Sequence, residues 1–308
     1  MAAKNNRTIT ILDEERESLM KGISKDVSGN IIDALVNADM MQVIDNIPDE
    51  SMNLIIIDPP YNLTKDFGNN DFRAMKDDDY EKWLRLWLPV VCKKLAKDGS
   101  LYICGDWHCT ASLQRVLSEN LTIMNRITWQ REKGRGAEHN WKNGMEDIWF
   151  AVKDPNNYYF NLDDVKIKRR VLAPYKKDGK PKDWKQTKEG SFRLTCPSNF
   201  WDDISVPFWS MPENTIHPTQ KPEKLYAKLM LASSRIGDIV FDPFMGSGTA
   251  CVVAKKLNRH YLGIDINQEY CLLAAKRINT ADHNKRIQGY EDGVFWERNA
   301  VPSGRVKN

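Results

Sequence analysis

Several things are scarce in this sequence, and each shortage narrows the field. No apolar run approaches the roughly 20 residues that a membrane-spanning helix needs. The longest, such as residues 54–57, suit buried strands. Met1 to Arg7 are followed by no apolar core, so no secretory signal is expected. The six cysteines (Cys92, Cys104, Cys109, Cys196, Cys251 and Cys271) contain no CxxC pair. Cys104 and Cys109 flank His108, but no second cluster with zinc-finger spacing accompanies them. They read as a strand-end cysteine and loop residues, and no metal is expected. A reduced, cytoplasmic protein follows from this cysteine usage. Internal repeats and low-complexity tracts are also missing.

What is present fits one large α/β domain, or one domain with a sizeable insertion: 308 residues, 41% hydrophobic and 28% charged. The net charge of +3 hides an uneven distribution. Residues 165–193 carry eleven Lys and Arg against three acids, a local +8, which leaves the remainder at −5. Tyr175, Trp184, Phe192, Phe200 and Trp201 lie within this stretch or just after it. Such a segment is either a polyanion-binding surface or a solvated lysine-rich loop.

The apolar pattern alternates strands with helices. Residues 54–57 form a β-branched run ending in Asp58-Pro59-Pro60-Tyr61. Tyr80, Trp83, Leu84, Trp87, Leu88, Val91 and Leu95 then recur at helical spacing, with Asp78 and Asp79 as capping candidates and Asp98-Gly99 as the stop. Residues 100–104 read as the next strand, which makes a βαβ unit. A short helix over 112–119 and strands over 123–129 and 148–152 follow. Regular order lapses over about 154–214 and returns with helices over 222–234, 248–257 and 269–278 and strands over 238–241 and 261–264. Residues 67–75 are rich in Gly, Asn and Asp and read as a mobile loop.

Two strand ends carry chemistry. In Phe241-Asp242-Pro243-Phe244-Met245-Gly246-Ser247-Gly248-Thr249 a strand enters a glycine turn that opens a helix. Glycines there allow close backbone approach to a ligand. Asp265 ends the next strand, at a spacing suited to a carboxylate that accepts ribose hydroxyls. The Gly-Lys-Ser/Thr ending of a phosphate loop is missing, so a nucleoside without pyrophosphate fits better than a nucleotide; the alternative is a plain strand-to-helix turn. At the other strand end, two prolines hold Asp58 and the Pro59 carbonyl in place. Both can accept hydrogen bonds from one amino group, while Tyr61 offers a flat face to a planar ring. A conjugated exocyclic amine becomes more nucleophilic when two acceptors grip its hydrogens.

These residues resemble the motifs of the S-adenosylmethionine-dependent DNA amino-methyltransferases. Asp58-Pro59-Pro60-Tyr61 is similar to their catalytic motif, residues 244–248 to their cofactor motif, and His217-Pro218-Thr219-Gln220-Lys221-Pro222 to the motif that precedes it. The catalytic motif comes first and the cofactor motif near the end, an order that resembles the β class found in restriction-modification systems. The likeness covers about residues 31–278. It implies an α/β, Rossmann-like methyltransferase fold with a mostly parallel twisted sheet, helices on both faces and an irregular basic insertion.

The resemblance also implies roles. Asp58 and the Pro59 carbonyl, shaped by Pro60, would hold the target amine, and Tyr61 would stack on the flipped base. Gly246, Ser247, Gly248 and Thr249 would lie against the methionine part of S-adenosylmethionine, with Phe244 beside it. Asp265 would bind the ribose. Asp39 would reach the adenine, although Ala38 stands where relatives have glycine. His217, Thr219 and Lys221 would cover the cofactor's carboxylate end. Lys168, Arg169 and Arg170 in the basic stretch would contact DNA phosphates; Arg131, Lys133 and Arg135, on a glycine-containing loop, are either further phosphate contacts or solvated loop charges. The expected organisation is an N-terminal extension (1–30), a first catalytic part (31–153), a target-recognition insertion (154–214), a second catalytic part (215–283) and a C-terminal tail (284–308). The expected reaction is methylation of adenine N6 in double-stranded DNA. Alternatives are the cytosine amine, a non-catalytic DNA-binding subunit of the same fold, and an RNA or protein-amide substrate. Enzymes it resembles are frequently homodimers, and some share their site with a cognate restriction endonuclease.

Overall fold

A computed structural model of the chain describes residues 5–27, 31–66, 71–131, 138–139, 141–171, 176–187 and 190–296. The elements of the first half are α1 (Asp13–Met20), β1 (Ile23–Ser24), β2 (Ala34–Asn37), α2 (Met40–Val43), β3 (Met52–Ile57), β4 (Lys65–Asp66), β5 (Asp71–Phe72), α3 (Asp77–Lys94), β6 (Leu95–Gly105), α4 (Thr110–Ser118), β7 (Thr122–Gln130) and β8 (Met145–Val152). Then come β9 (Ile167–Arg170), β10 (Lys176–Lys177), β11 (Lys180–Pro181), β12 (Lys185–Thr187), β13 (Gly190–Thr195) and β14 (Phe200–Trp201). The last part holds α5 (Glu223–Ser233), β15 (Ile239–Asp242), α6 (Thr249–Lys256), β16 (His260–Asp265), α7 (Gln268–Ala281), β17 (Tyr290–Glu291) and β18 (Val294–Trp296).

The main sheet has nine strands in the order β1-β2-β16-β15-β3-β6-β8-β7-β14. All its neighbours pair in parallel except those on either side of β8. Successive side chains on a strand point to opposite faces, and β3 shows what this does. Leu54 and Ile56 enter a core packed by α5, α6 and α7, while Ile55 and Ile57 enter a second core packed by α2, α3 and α4. A strand covered on both faces must be apolar throughout, which is why Leu54-Ile55-Ile56-Ile57 shows no polar alternation. Among the described residues, no helix is long and apolar enough to cross a membrane.

Several expectations need correction. Helix α3 ends at Lys94, before Asp98-Gly99, because Leu95 already pairs with Met52 as strand. Its N-cap is Lys76, and Asp78 and Asp79 lie in its first turn, where acids face the positive end of the helix dipole. Part of the N-terminal segment belongs to the fold. Strand β1 pairs with β2, and α1 lies on α7 through the ion pairs Arg16–Glu269 (2.6 Å) and Lys276–Glu15 (2.6 Å). Nor is the basic insertion irregular. Strands β12, β13 and β9 form an antiparallel sheet, and β18 and β17 from the C-terminal segment extend it. Lys224 of α5 anchors this addition by donating to the carbonyls of Asp203 (2.8 Å) and Trp296 (2.6 Å). The loop expected over 67–75 lies partly outside the described residues; Asp71 and Phe72 pair with Lys65 and Asp66 as β5.

Candidate active site

Parallel strands bring four carboxylates to one edge of the sheet. Asp242 and Asp265 are the last residues of β15 and β16, and Asp58 and Asp106 directly follow β3 and β6. Strands β15 and β3 are neighbours, with Val240 opposite Leu54 and Phe241 opposite Ile55. Motifs far apart in the chain therefore meet at the carboxyl ends of adjacent strands, where open α/β sheets bind ligands.

A cavity of about 480 Å³ opens there. Asp39, Asp58, Pro59, Pro60, Tyr61 and Arg131 are among the residues that line it. So are His217, Thr219, Lys221, Phe244, Gly246, Ser247, Thr249 and Asp265. Gly248 is not among the lining residues. Its φ is +74°, and a Cβ there would lie 2.5 Å from Cβ of Ala274, so this glycine lets α6 pack on α7. Gly246, at φ +51°, faces His217, whose Nε2 lies 2.9 Å from where a Cβ would be.

The glycine turn is braced from behind. Buried Arg277 donates to the Ser247 carbonyl (2.8 Å) and to Thr249 Oγ1 (3.0 Å), and pairs with Glu223 (3.1 Å). Asp265 Oδ2 accepts from the Gly246 amide and Oδ1 from the Asn267 amide, both at 2.8 Å. Burial pushes the Asp265 carboxyl up to about 6, although those two amides pull it down. Burial likewise raises the Asp242 carboxyl well above the carboxylate range. Asp39 caps α2 by accepting from the Met41 amide at 2.9 Å. The loop of residues 215–221 is closed by Gln220, which accepts from Thr215 and donates to the Glu213 carbonyl.

The Asp58 end differs most from expectation. Lys221, expected at the cofactor's carboxylate end, has its ammonium 2.7 Å from both Asp58 oxygens and 3.1 Å from the Tyr61 hydroxyl. Glu146, which sequence reasoning missed, completes the cluster at 3.3 Å from Lys221 and 3.2 Å from the Tyr61 hydroxyl. Arg131, expected as a DNA-phosphate contact, lines the cavity and pairs with Glu146. Burial would lower the Lys221 pKa, but the attraction of Asp58 and Glu146 outweighs it and holds the ammonium charged. Burial would likewise raise Glu146, and Lys221 and Arg131 outweigh it in the other direction. The signal for Glu146 was an acid beside Asp147 at the start of an otherwise apolar strand.

The remaining candidates lie elsewhere. Lys168, Arg169 and Arg170 sit on β9, and Lys168 Nζ rests 4.3 Å from the Trp296 ring centroid. Lys133 and Arg135 lie outside the described residues. Cys104 and Cys109 are buried in opposite cores, so they do not converge with His108, whose ring bonds Asp106 at 3.0 Å.

A mostly parallel α/β sheet with one reversed strand, a glycine turn and an Asp-Pro-Pro-Tyr strand end in one cavity defines a Rossmann-like methyltransferase. The chain belongs to the DNA methylase family of N6 and N4 amino-methyltransferases, whose model matches residues 52–276. It is 35% identical over 261 residues to "DNA adenine methyltransferase YhdJ" of Escherichia coli, covering 83% of this chain and 85% of that one. It is 33% identical over 248 residues to "Type II methyltransferase M.HpaI" of Haemophilus parainfluenzae, covering 80% and 74%. Among solved structures, the M1.HpyAVI–SAM complex superposes with a TM-score of 0.54 at 25% identity, covering 79% of this chain and 97% of that one. The cytosine-N4-specific PvuII DNA methyltransferase shares the fold, with a TM-score of 0.60 at 19% identity, covering 79% and 84%.

Proposed function

We propose that this chain methylates the exocyclic N6 amine of adenine in double-stranded DNA, with S-adenosylmethionine as methyl donor. The observation that carries the reading is the meeting, in one cavity, of Asp58 behind two prolines with the glycine turn and Asp265. The adenine assignment draws on the adenine methyltransferase relative at 35% identity.

The cavity suits a nucleoside with a charged tail. Phe244 and Trp87 pack edge to face at 5.0 Å between ring centroids and give it an aromatic wall. Among the described residues the buried Trp87 Nε1 has no hydrogen-bond partner. Each Asp265 oxygen accepts one backbone amide, which leaves a second lone pair on each for a ribose hydroxyl. Asp39 would reach the adenine ring, and His217 and Thr219 the methionine end. When bound, the cofactor supplies an electrophilic methyl group.

The chain's own task is to present the amine. In duplex DNA that amine is hidden, and flipping the base out costs roughly a few kcal/mol. Tyr61 stacks on the flipped ring. Asp58 and the Pro59 carbonyl accept the two amine hydrogens, which takes the nitrogen lone pair out of conjugation and aims it at the methyl group. The methylated amine then gives up one proton to water. The basic sheet of β9, β12 and β13 supplies phosphate contacts, and residues 154–214 act as the recognition element. The test is transfer of a labelled methyl group from S-adenosylmethionine to unmethylated plasmid DNA. Label in DNA with the natural chain and none with Asp58→Ala supports the reading; no label with either refutes it.

A further inference from the structure

We propose that Glu146 is a positioning residue for amine transfer: it receives the Lys221 ammonium when the target amine donates to Asp58. This rests on the reading of the site given above. As the structure stands, Lys221 occupies the place the amine needs. Its ammonium bonds both Asp58 oxygens at 2.7 Å, and Oδ1 also accepts from the Tyr61 hydroxyl at 2.9 Å. An amine nitrogen gains positive charge as its new bond forms. A second cation on the same carboxylate opposes that charge, and the opposition is strong in a buried site.

Lys221 has little contact with water, since its side chain is 5% exposed and that of Glu146 is 3% exposed. An ammonium displaced inside such a site needs another anion, since an unpaired buried charge is costly. Glu146 is that anion. Lys221 has only to shorten its 3.3 Å separation from Glu146 to the 2.7 Å it now has to Asp58. Glu146 is fixed for the purpose. It lies on β8 opposite Trp129 of β7, and its other oxygen is held by Arg131. Lys221 and Arg131 keep it ionised despite its burial. Arg131 therefore balances Glu146 while Lys221 is on Asp58, and the cluster stays neutral in either arrangement.

The test compares Glu146→Gln with the double variant Glu146→Gln/Lys221→Met, in labelled methyl transfer to DNA. Transfer by the natural chain is measured first. If it fails, the proposed function fails, and the variants are not needed to say so. In Glu146→Gln the ammonium has Asp58 as its sole ion-pair partner among the described residues and stays there. We expect kcat to fall about tenfold or more while KM for the cofactor changes little. Removing the lysine in the same background frees Asp58, so the double variant should turn over faster than Glu146→Gln. A merely structural role for Glu146 gives the opposite order. Undiminished kcat in Glu146→Gln, or a double variant no faster than the single one, overturns the proposal. A structure of the natural chain with S-adenosylhomocysteine and target DNA tests the same point without mutation. Lys221 bonded to Glu146 and released from Asp58 supports the proposal; Lys221 still bonded to both Asp58 oxygens overturns it.

Discussion

At the scale of single residues, carboxylates of one chemical type are given different tasks by their surroundings. Asp58 is held by a lysine and a tyrosine, Asp265 by two backbone amides, and Asp242 is buried where its charge is disfavoured. Asp58→Ala should abolish methyl transfer yet leave cofactor affinity, measured by calorimetry, within a few-fold, because Asp265 and the glycine turn are untouched. The Asp265 carboxyl is raised to about 6, so below that pH it is protonated and loses an acceptor for the ribose hydroxyls. Cofactor affinity should therefore be flat near neutrality and fall as pH drops through about 6, by up to about tenfold per unit. Asp265→Asn should bind weakly at every pH and lose this dependence; an unchanged pH profile would remove Asp265 from the site. Asp58 and Asp265 were legible because their types and strand-end positions are local facts. Glu146 was not, since its partners Lys221 and Arg131 are brought to it only by the fold.

At the scale of elements, two glycines of one turn do separate work. Gly248→Ala places a methyl group against the backbone and Cβ of Ala274 at a positive φ. It should destabilise the protein by about 3 kcal/mol in chemical denaturation. Gly246→Val should instead weaken cofactor binding, because its side chain would press on His217 at the cavity wall. Sequence alone assigns both glycines the same role, since a turn motif does not reveal which helix packs behind it. The strand-and-helix alternation from β3 to α7 was readable from apolar periodicity on either side of residues 154–214, but not within them. The hairpin of β10 and β11 was missed, although its Asp178-Gly179 turn is the usual signal for the paired positive φ values seen there, 52° and 77°. Lysines on both sides obscured that signal, because charge says nothing about pairing.

At the scale of the whole molecule, a net charge of +3 is the sum of a basic surface and a more acidic body. The hairpin exposes Lys176, Lys177 and Lys180 to solvent. Replacing all three with Ala should weaken DNA binding uniformly across sequences. It should also reduce the slope of log affinity against log salt by about 0.9 for each phosphate that is no longer neutralised; an unchanged slope would make the hairpin a solvated loop only. The catalytic and cofactor motifs lie far apart in the chain, and the sheet order makes them neighbours, β15 beside β3. The packing of residues 13–24 on α7 and the joining of β18 to β9 were illegible, because they depend on ion pairs and strand pairing between segments far apart in sequence. The measurement that tests the central claim most directly is nucleoside analysis of DNA labelled by the natural chain with methyl-labelled S-adenosylmethionine. All label is expected in N6-methyladenine; label in N4-methylcytosine, or none in DNA, would contradict the assignment.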